Sequence, residues 1–172
     1  MTVEAFDRFE DPGATAHDST GPLAVTVSGE VNVDVPGDYT LFYSASNLFH
    51  TTTVTRVVQV RDTTAPVVSE LVLTPDRLWP PNHAMVPISA RYLVTDASEL
   101  VSCTLSVTSN EALDGRGDGH TAVDWIITGP ESLELRAERS GGGQGRVYTV
   151  LASCSDPSGN IGTATAAVTV PK

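Results

Sequence analysis

Residues 148–156 read YTVLASCSD, and residues 39–47 read YTLFYSASN. Tyr39, Leu41, Tyr43 and Ala45 correspond to Tyr148, Val150, Ala152 and Cys154. Each set alternates with more polar residues, as in a strand with one face buried. Each follows a Gly-containing turn, VPGD in one case and GGGQG in the other. Each precedes a Thr/Val-rich last strand, TTTVTRVVQV or IGTATAAVTV. Two copies of one strand–loop–strand ending imply two modules. Between them lies RDTTAPVV, where Pro66 forces extended geometry and removes a donor. The boundary is placed near Ala65, giving modules 1–65 and 66–172.

The second module reads as seven strands, at roughly 67–74, 85–95, 100–108, 121–128, 132–138, 146–155 and 161–170. In PESLELRAERS, Leu133, Leu135 and Ala137 share one side, and Glu134, Arg136 and Glu138 the other. That is strand rather than helix periodicity. Seven short strands in about 100 residues fit an immunoglobulin-like sandwich. The first module shows five or six strands and lacks part of its opening strand. The expected fold class is therefore all-β, two tandem immunoglobulin-like β-sandwich modules.

Composition agrees with strands and turns. Of 172 residues, 40 % are hydrophobic and 6 % aromatic, with 14 glycines and 11 prolines. The formal net charge of −11 repels phosphate backbones, so nucleic acid is not an expected partner. No apolar run approaches a membrane span, so no membrane insertion is expected. Met1 leads into TVEAFDRFEDPG without a signal peptide, which reads as a piece of a longer secreted chain. Nine arginines are joined only by Lys172, so a Lys–Asn or Lys–Asp cross-link within a module is not expected.

The stretches FEDPGATAHDSTG, VPGDYTLFYSAS and TRVVQVRDTTAP resemble the bacterial Ig-like domain first described in pesticidal crystal proteins, itself similar to hyalin-repeat domains. LWPPNHAMVPI, VTSNE, DWIITG, LRAERSG and RVYTV…DPSGN resemble an Ig-like module recurrent in large secreted bacterial proteins. The two resemblances cover nearly the whole chain. They imply fold and an extracellular or cell-surface setting, and no reaction.

Cys103 shares a face with Val101, Leu105 and Val107, and Cys154 with Tyr148, Val150 and Ala152. Both thiols point inward on strands expected to be neighbours. A disulfide is the first reading for a secreted sandwich, and two reduced buried cysteines are the other.

The loop DPSGN supplies Asp156, Ser158 and Asn160. Calcium needs about six to eight oxygen ligands, so this loop alone is insufficient. In an Ig-like topology the linker and three further loops meet at one pole. They bring Asp62, Asp96, Glu99 and Glu131. Related Ig-like modules bind calcium at such loops, which the resemblance adds. The other reading is a plain turn: Pro sets φ, Gly accepts positive φ, and Asp or Asn caps the loop. In the first module Asn47 replaces the aspartate, and no matching ion is expected there.

Other residues invite readings of their own. Arg116-Gly117-Asp118 is an adhesion tripeptide in animal matrix proteins, and here also a Gly-rich loop. Glu111, Asp114, Asp118 and Asp124 offer a second acidic group, but at no metal-loop spacing. LWPPNH reads as a rigid crossing in which Trp79 covers the end of the core and Asn82 and His83 bond to backbone. A carbohydrate-stacking Trp79 or Trp125 is the sharper alternative. His17, His50, His83 and His120 are scattered, and no HExxH, GxSxG, Cys–His or Walker signature is present, so catalysis is not expected. The expected function is a structural spacer joined to neighbouring domains of a longer chain, with calcium as a candidate cofactor. The alternative is a carbohydrate- or protein-binding adhesion module acting through exposed loops. A direct contribution to a neighbouring enzyme's site is the third class.

Overall fold

In a computed structural model, described over residues 1–113 and 123–172, the chain is all-β. It divides into two compact units, Met1–Thr63 and Thr64–Lys172. The RGD tripeptide, Asp114, Asp118 and His120 lie outside the described residues.

The first unit holds six strands: β1 (Thr2–Glu4), β2 (Ala16–Asp18), β3 (Gly21–Leu23), β4 (Val25–Ser28), β5 (Gly37–Ser46) and β6 (Thr51–Arg61). Four form a sheet in the order β1-β6-β5-β4, and β2 and β3 form a hairpin. The alternation read from YTLFYSASN is real in space: Leu41 and Tyr43 are buried while Thr40 and Phe42 are exposed. At the start of β5 the Tyr39 hydroxyl donates to Val35 O at 2.7 Å. This tyrosine-to-backbone bond is the corner expected at the sixth strand of an immunoglobulin sandwich. The layer facing the sheet is reduced to the short hairpin and loops. The central cluster is accordingly small: Leu41, Tyr43 and Val58, flanked by Val3, Phe9, Val25 and Val31. Below Tyr43, Arg56 bridges to Asp11, and the Tyr43 hydroxyl donates to the same carboxylate.

The second unit holds β7 (Val67–Val68), β8 (Val72–Thr74), β9 (Met85–Arg91), β10 (Val94–Thr95), β11 (Ser102–Ser109), β12 (Trp125–Gly129), β13 (Ser132–Arg136), β14 (Gly145–Ser155) and β15 (Ile161–Pro171). One sheet runs β12-β13-β9-β8 and the other β11-β14-β15. Lettered in chain order, these are the DEBA and CFG sheets of a seven-stranded immunoglobulin-like sandwich. Among the described residues, fifteen buried ones fill the space between them, including Leu73, Leu78, Ile88, Leu133, Leu135, Tyr148, Val150 and Val168. Each aliphatic side chain fully buried there contributes about 1.5–3 kcal/mol.

Two expected strands are broken in two. Residues 67–74 separate into β7, which pairs with β10, and β8, which pairs with β9. Likewise 85–95 separates into β9 and β10. The breaks at Ser69–Leu71 and Tyr92–Leu93 let one chain serve two pairings, and the Ser69 hydroxyl accepts from Leu93 N–H across them. Glu138, expected opposite the core, is fully buried, because β13 ends at Arg136 and the chain turns inward.

Candidate functional site

The DPSGN loop joins β14 to β15 as a closed turn. Gly159 N–H donates to Asp156 O at 3.3 Å, and Asp156 N–H to Asn160 O at 3.2 Å. Asn160 donates its backbone N–H to Asp156 Oδ1 at 2.9 Å and its side-chain N–H to Oδ2 at 2.8 Å. Gly159 sits at φ +90°, where a side chain would be strained. Burial pushes the Asp156 carboxyl up, but the Asn160 side chain and the N–H groups of Asn160, Gly159 and Ser158 outweigh it and hold it below its ordinary value.

Asp96 caps a turn of its own, accepting from the Ser98 N–H at 2.9 Å and from the Ser98 hydroxyl. One of its carboxylate oxygens lies within 4.8 Å of one on Asp156. Glu99, in the left-handed region at φ 57°, lines a shallow hollow of about 780 Å3 together with Asp96 and Glu131. Asp96, Glu99 and Glu131 thus meet at one end of the second unit, with Asp156 beside Asp96. Asp62 belongs to the first unit. Both carboxylate oxygens of Asp156 already accept from Asn160, and Asn160 turns its amide N–H toward Asp156. Asn160 therefore serves this turn as a donor, whereas calcium coordination asks it for oxygen. In the first module Asn47 builds a different turn. Its Oδ1 accepts from Phe49 N–H at 3.0 Å and His50 N–H at 2.9 Å.

Cys103 and Cys154 are joined by a disulfide, with Cα atoms 4.1 Å apart. They stand directly opposite on β11 and β14, so the bridge lies within one sheet. In antibody domains the equivalent bridge crosses between sheets.

At the other end of β14 is a buried charge network. Arg146 has no exposed side-chain surface, and neither has Glu138; Asp124 is 1 % exposed. Arg146 donates to Asp124 Oδ2 at 2.6 Å, Glu138 Oε1 at 3.4 Å, Glu111 Oε2 at 3.3 Å and Ala112 O at 3.2 Å. It also donates to the Tyr148 hydroxyl at 3.1 Å, which donates onward to Arg136 O at 2.9 Å. His83 Nδ1 stands 3.2 Å from Glu138 Oε2. Among the described residues, Asp124 Oδ1 is buried with no hydrogen-bond partner. Burial pushes the Asp124 carboxyl above its ordinary value, with Glu138 adding to the shift and Arg146 opposing it. Burial also pushes the Tyr148 phenol up to about 12, against the pull of Arg146. Glu111 and Asp124, read in sequence as two of four clustered acids, are instead neutralised by this arginine. Alternation in the sequence marks Arg146 itself as inward-facing, with the parity of Tyr148, Val150, Ala152 and Cys154, but not which acids it meets.

The LWPPNH segment corrects another expectation. Leu78, at 2 % exposure, plugs the core, and Trp79 is 60 % exposed. Asn82 accepts from Ala84 N–H at 3.1 Å, and His83 N–H donates to Ala137 O at 2.9 Å. Trp125 is half-buried, edge-on to Tyr148 with ring centroids 6.3 Å apart.

Residues 1–60 match the family model described as "Bacterial surface protein, Ig-like domain". No curated protein matches the chain. Among solved structures, the lipoprotein BT2262 from Bacteroides thetaiotaomicron is 16% identical, at a TM-score of 0.34, over 99% of this chain and 94% of that one. The extracellular domains 3–5 of Drosophila OTK are 14% identical, at 0.35, over 90% and 45%. Mouse protocadherin-24 EC1-3 is 13% identical, at 0.34, over 98% and 59%. At TM-scores this low the function has to be argued from the chain itself, and the family match gives its first 60 residues the likeness of a bacterial surface Ig-like domain.

Proposed function

We propose that the chain is a non-catalytic structural spacer of a bacterial secreted or cell-surface protein. One observation in the second unit carries this reading. Pro66, near the start of the unit, lies against Gly162 at the head of β15, and Lys172 follows the tail of that strand. The unit therefore begins and finishes about 30 Å apart, at opposite poles, as a serially connected spacer requires. The disulfide between β11 and β14 stiffens it, and the likeness of residues 1–60 to a bacterial surface domain supports the setting. The finer reading adds calcium at the pole of Asp96 and Asp156, supported by the closeness of their carboxylates. Extracellular modules bind calcium at about 0.1–1 mM. At ten times the dissociation constant the ion would stabilise the second unit by about 1.4 kcal/mol. Melting in millimolar calcium and in chelator tests it. The gain should vanish in Asp96→Asn and persist in Asn47→Ala, and equal melting in both solutions would remove calcium from the account.

One observation favours adhesion as a second reading: Trp79 is exposed beside two prolines. A glycan array separates the two readings. A spacer gives no glycan retention, whereas retention lost in Trp79→Ala would replace the spacer reading with adhesion.

A further inference from the structure

The Arg146 network holds more acid than base. Among the described residues, the Asp124, Glu138 and Glu111 carboxyls meet one buried guanidinium. Two of them share a single nitrogen: Arg146 Nη1 donates to Asp124 Oδ2 at 2.6 Å and to Glu138 Oε1 at 3.4 Å. The Asp124 and Glu138 carboxyls also stand within hydrogen-bonding reach of each other. Asp124 Oδ1 is the oxygen left over, buried and without a donor among the described residues.

The groups around this pair come from four further places. From β14, Tyr148 takes one Arg146 N–H and passes its own proton to Arg136 O. Ahead of β9, His83 sets Nδ1 3.2 Å from Glu138 Oε2. At the end of β13, Arg136 has Nε 3.9 Å from the same oxygen, with its guanidinium donating to Val123 O and His83 O. After β11, Glu111 accepts from Ser140 N–H at 2.7 Å as well as from Arg146. Two carboxylates side by side and out of water repel each other, and burial penalises the charge of both. An ionised Asp124 also keeps Oδ1 as a buried acceptor with nothing to accept. A proton on Oδ1 removes both penalties. It makes that oxygen a donor, gives it Glu138 as acceptor, and cuts the pair from two negative charges to one.

We propose that Asp124 and Glu138 are a buried proton-binding pair, which takes one proton from solvent onto Asp124 Oδ1 as pH falls and thereby tightens the second unit. Burial and Glu138 both push the Asp124 carboxyl up, against the pull of Arg146, so its folded value lies above the unfolded one. The stability it gives is full below about pH 4 and is lost as pH rises through the folded value. The DPSGN turn has the opposite sense. Its Asp156 is held below its ordinary value, so its contribution is present above about pH 4 and is lost as pH falls through the folded value. The second unit thus carries an acid-tightened end and an acid-loosened turn. The inference does not depend on the spacer reading or on calcium.

Urea unfolding of the full chain at pH 7 and pH 5 tests it, read by Trp79 and Trp125, which both belong to the second unit. The parent should unfold at higher urea at pH 5. Asp124→Asn has an amide that donates to Glu138 as the protonated acid does, and it should lose most of that gain. Histidine takes up protons in the same range. His83→Asn is therefore the control, since asparagine is tolerated at the φ of 63° found there, and it should keep the gain. Carbon-13 titration of the Asp124 carboxyl, assigned through its own backbone, should give a midpoint above the ordinary value of about 3.9. In Glu138→Gln that midpoint should fall. No gain in the parent, an equal gain in Asp124→Asn, or a gain lost in His83→Asn would overturn the proposal. So would an Asp124 midpoint at or below the ordinary value, or one unmoved by Glu138→Gln.

Discussion

Replacing Arg146 by methionine keeps most of the side-chain volume and removes, among the described residues, the one cation of the fully buried charges at the end of β14. Asp124 and Glu138 are then left without their shared partner, and Asp124 already carries one unpaired oxygen. Breaking a buried ion pair from one side costs about 3–5 kcal/mol. The donor contacts of Arg146 to Asp124, Glu138, Glu111, Tyr148 and Ala112 place this case in the middle, near 4 kcal/mol as an order of magnitude. For a unit of about 110 residues, unfolding entropy near 2.1 cal/mol/K per residue makes this a drop of about 17 °C in melting temperature. The loss should also depend on pH. Burial already holds the Asp124 carboxyl above its ordinary value, and without the opposing arginine it is forced further toward the neutral form in the fold. That contribution is favourable below about pH 4 and is lost as pH rises through the folded value. Urea unfolding at pH 7 and pH 5 should therefore show a smaller deficit at pH 5. Asp124→Asn in the Arg146→Met background should recover part of the loss at pH 7. A deficit under about 1 kcal/mol, or one equal at both pH values, would refute the claim that charge compensation holds this end together.

Tyr148 should ionise late. Its phenol is pushed up to about 12 in the fold, so stability is intact below about pH 10 and lost between pH 10 and 12, by up to about 2.7 kcal/mol. Burial also raises the Tyr43 and Tyr92 phenols, so ultraviolet titration should resolve Tyr148 as the last of the four tyrosines to ionise, and four titrating together would contradict it. Gly162→Ala should lower the melting temperature of the second unit by the equivalent of about 1–3 kcal/mol, because Pro66 backbone must move. Thr52→Ala, at the matching position of the first unit, meets no such segment, and equal effects of the two substitutions would undo the comparison.

Much of the fold was legible because period-two alternation survives wherever a strand has one dry face. The β5–β6 and β14–β15 hairpins, the inward cysteines and the Asp-Pro-Ser-Gly-Asn turn were all written in local pattern. The breaks in 67–74 and 85–95 were not, since Ser69 and Leu93 interrupt apolar runs only through a contact 24 residues apart. The choice of Leu78 over Trp79 as core plug was equally hidden. Both are apolar, and the backbone path through two prolines decides which one points inward. The Arg146 network was hidden for another reason. Its three acids come from separate segments, and only the register of β14 shows that the arginine faces them.

Single-molecule stretching of the whole chain tests the central claim, two serial β-sandwich modules with the second closed by Cys103–Cys154. At about 3.6 Å per residue, the first unit should release about 220 Å of contour. The disulfide withholds 51 residues, or about 180 Å, so the second unit should release only about 210 Å. Two steps of nearly equal length are therefore predicted, and reductant should lengthen one of them to about 390 Å. One step for the whole chain, or a step of about 390 Å without reductant, would contradict the account.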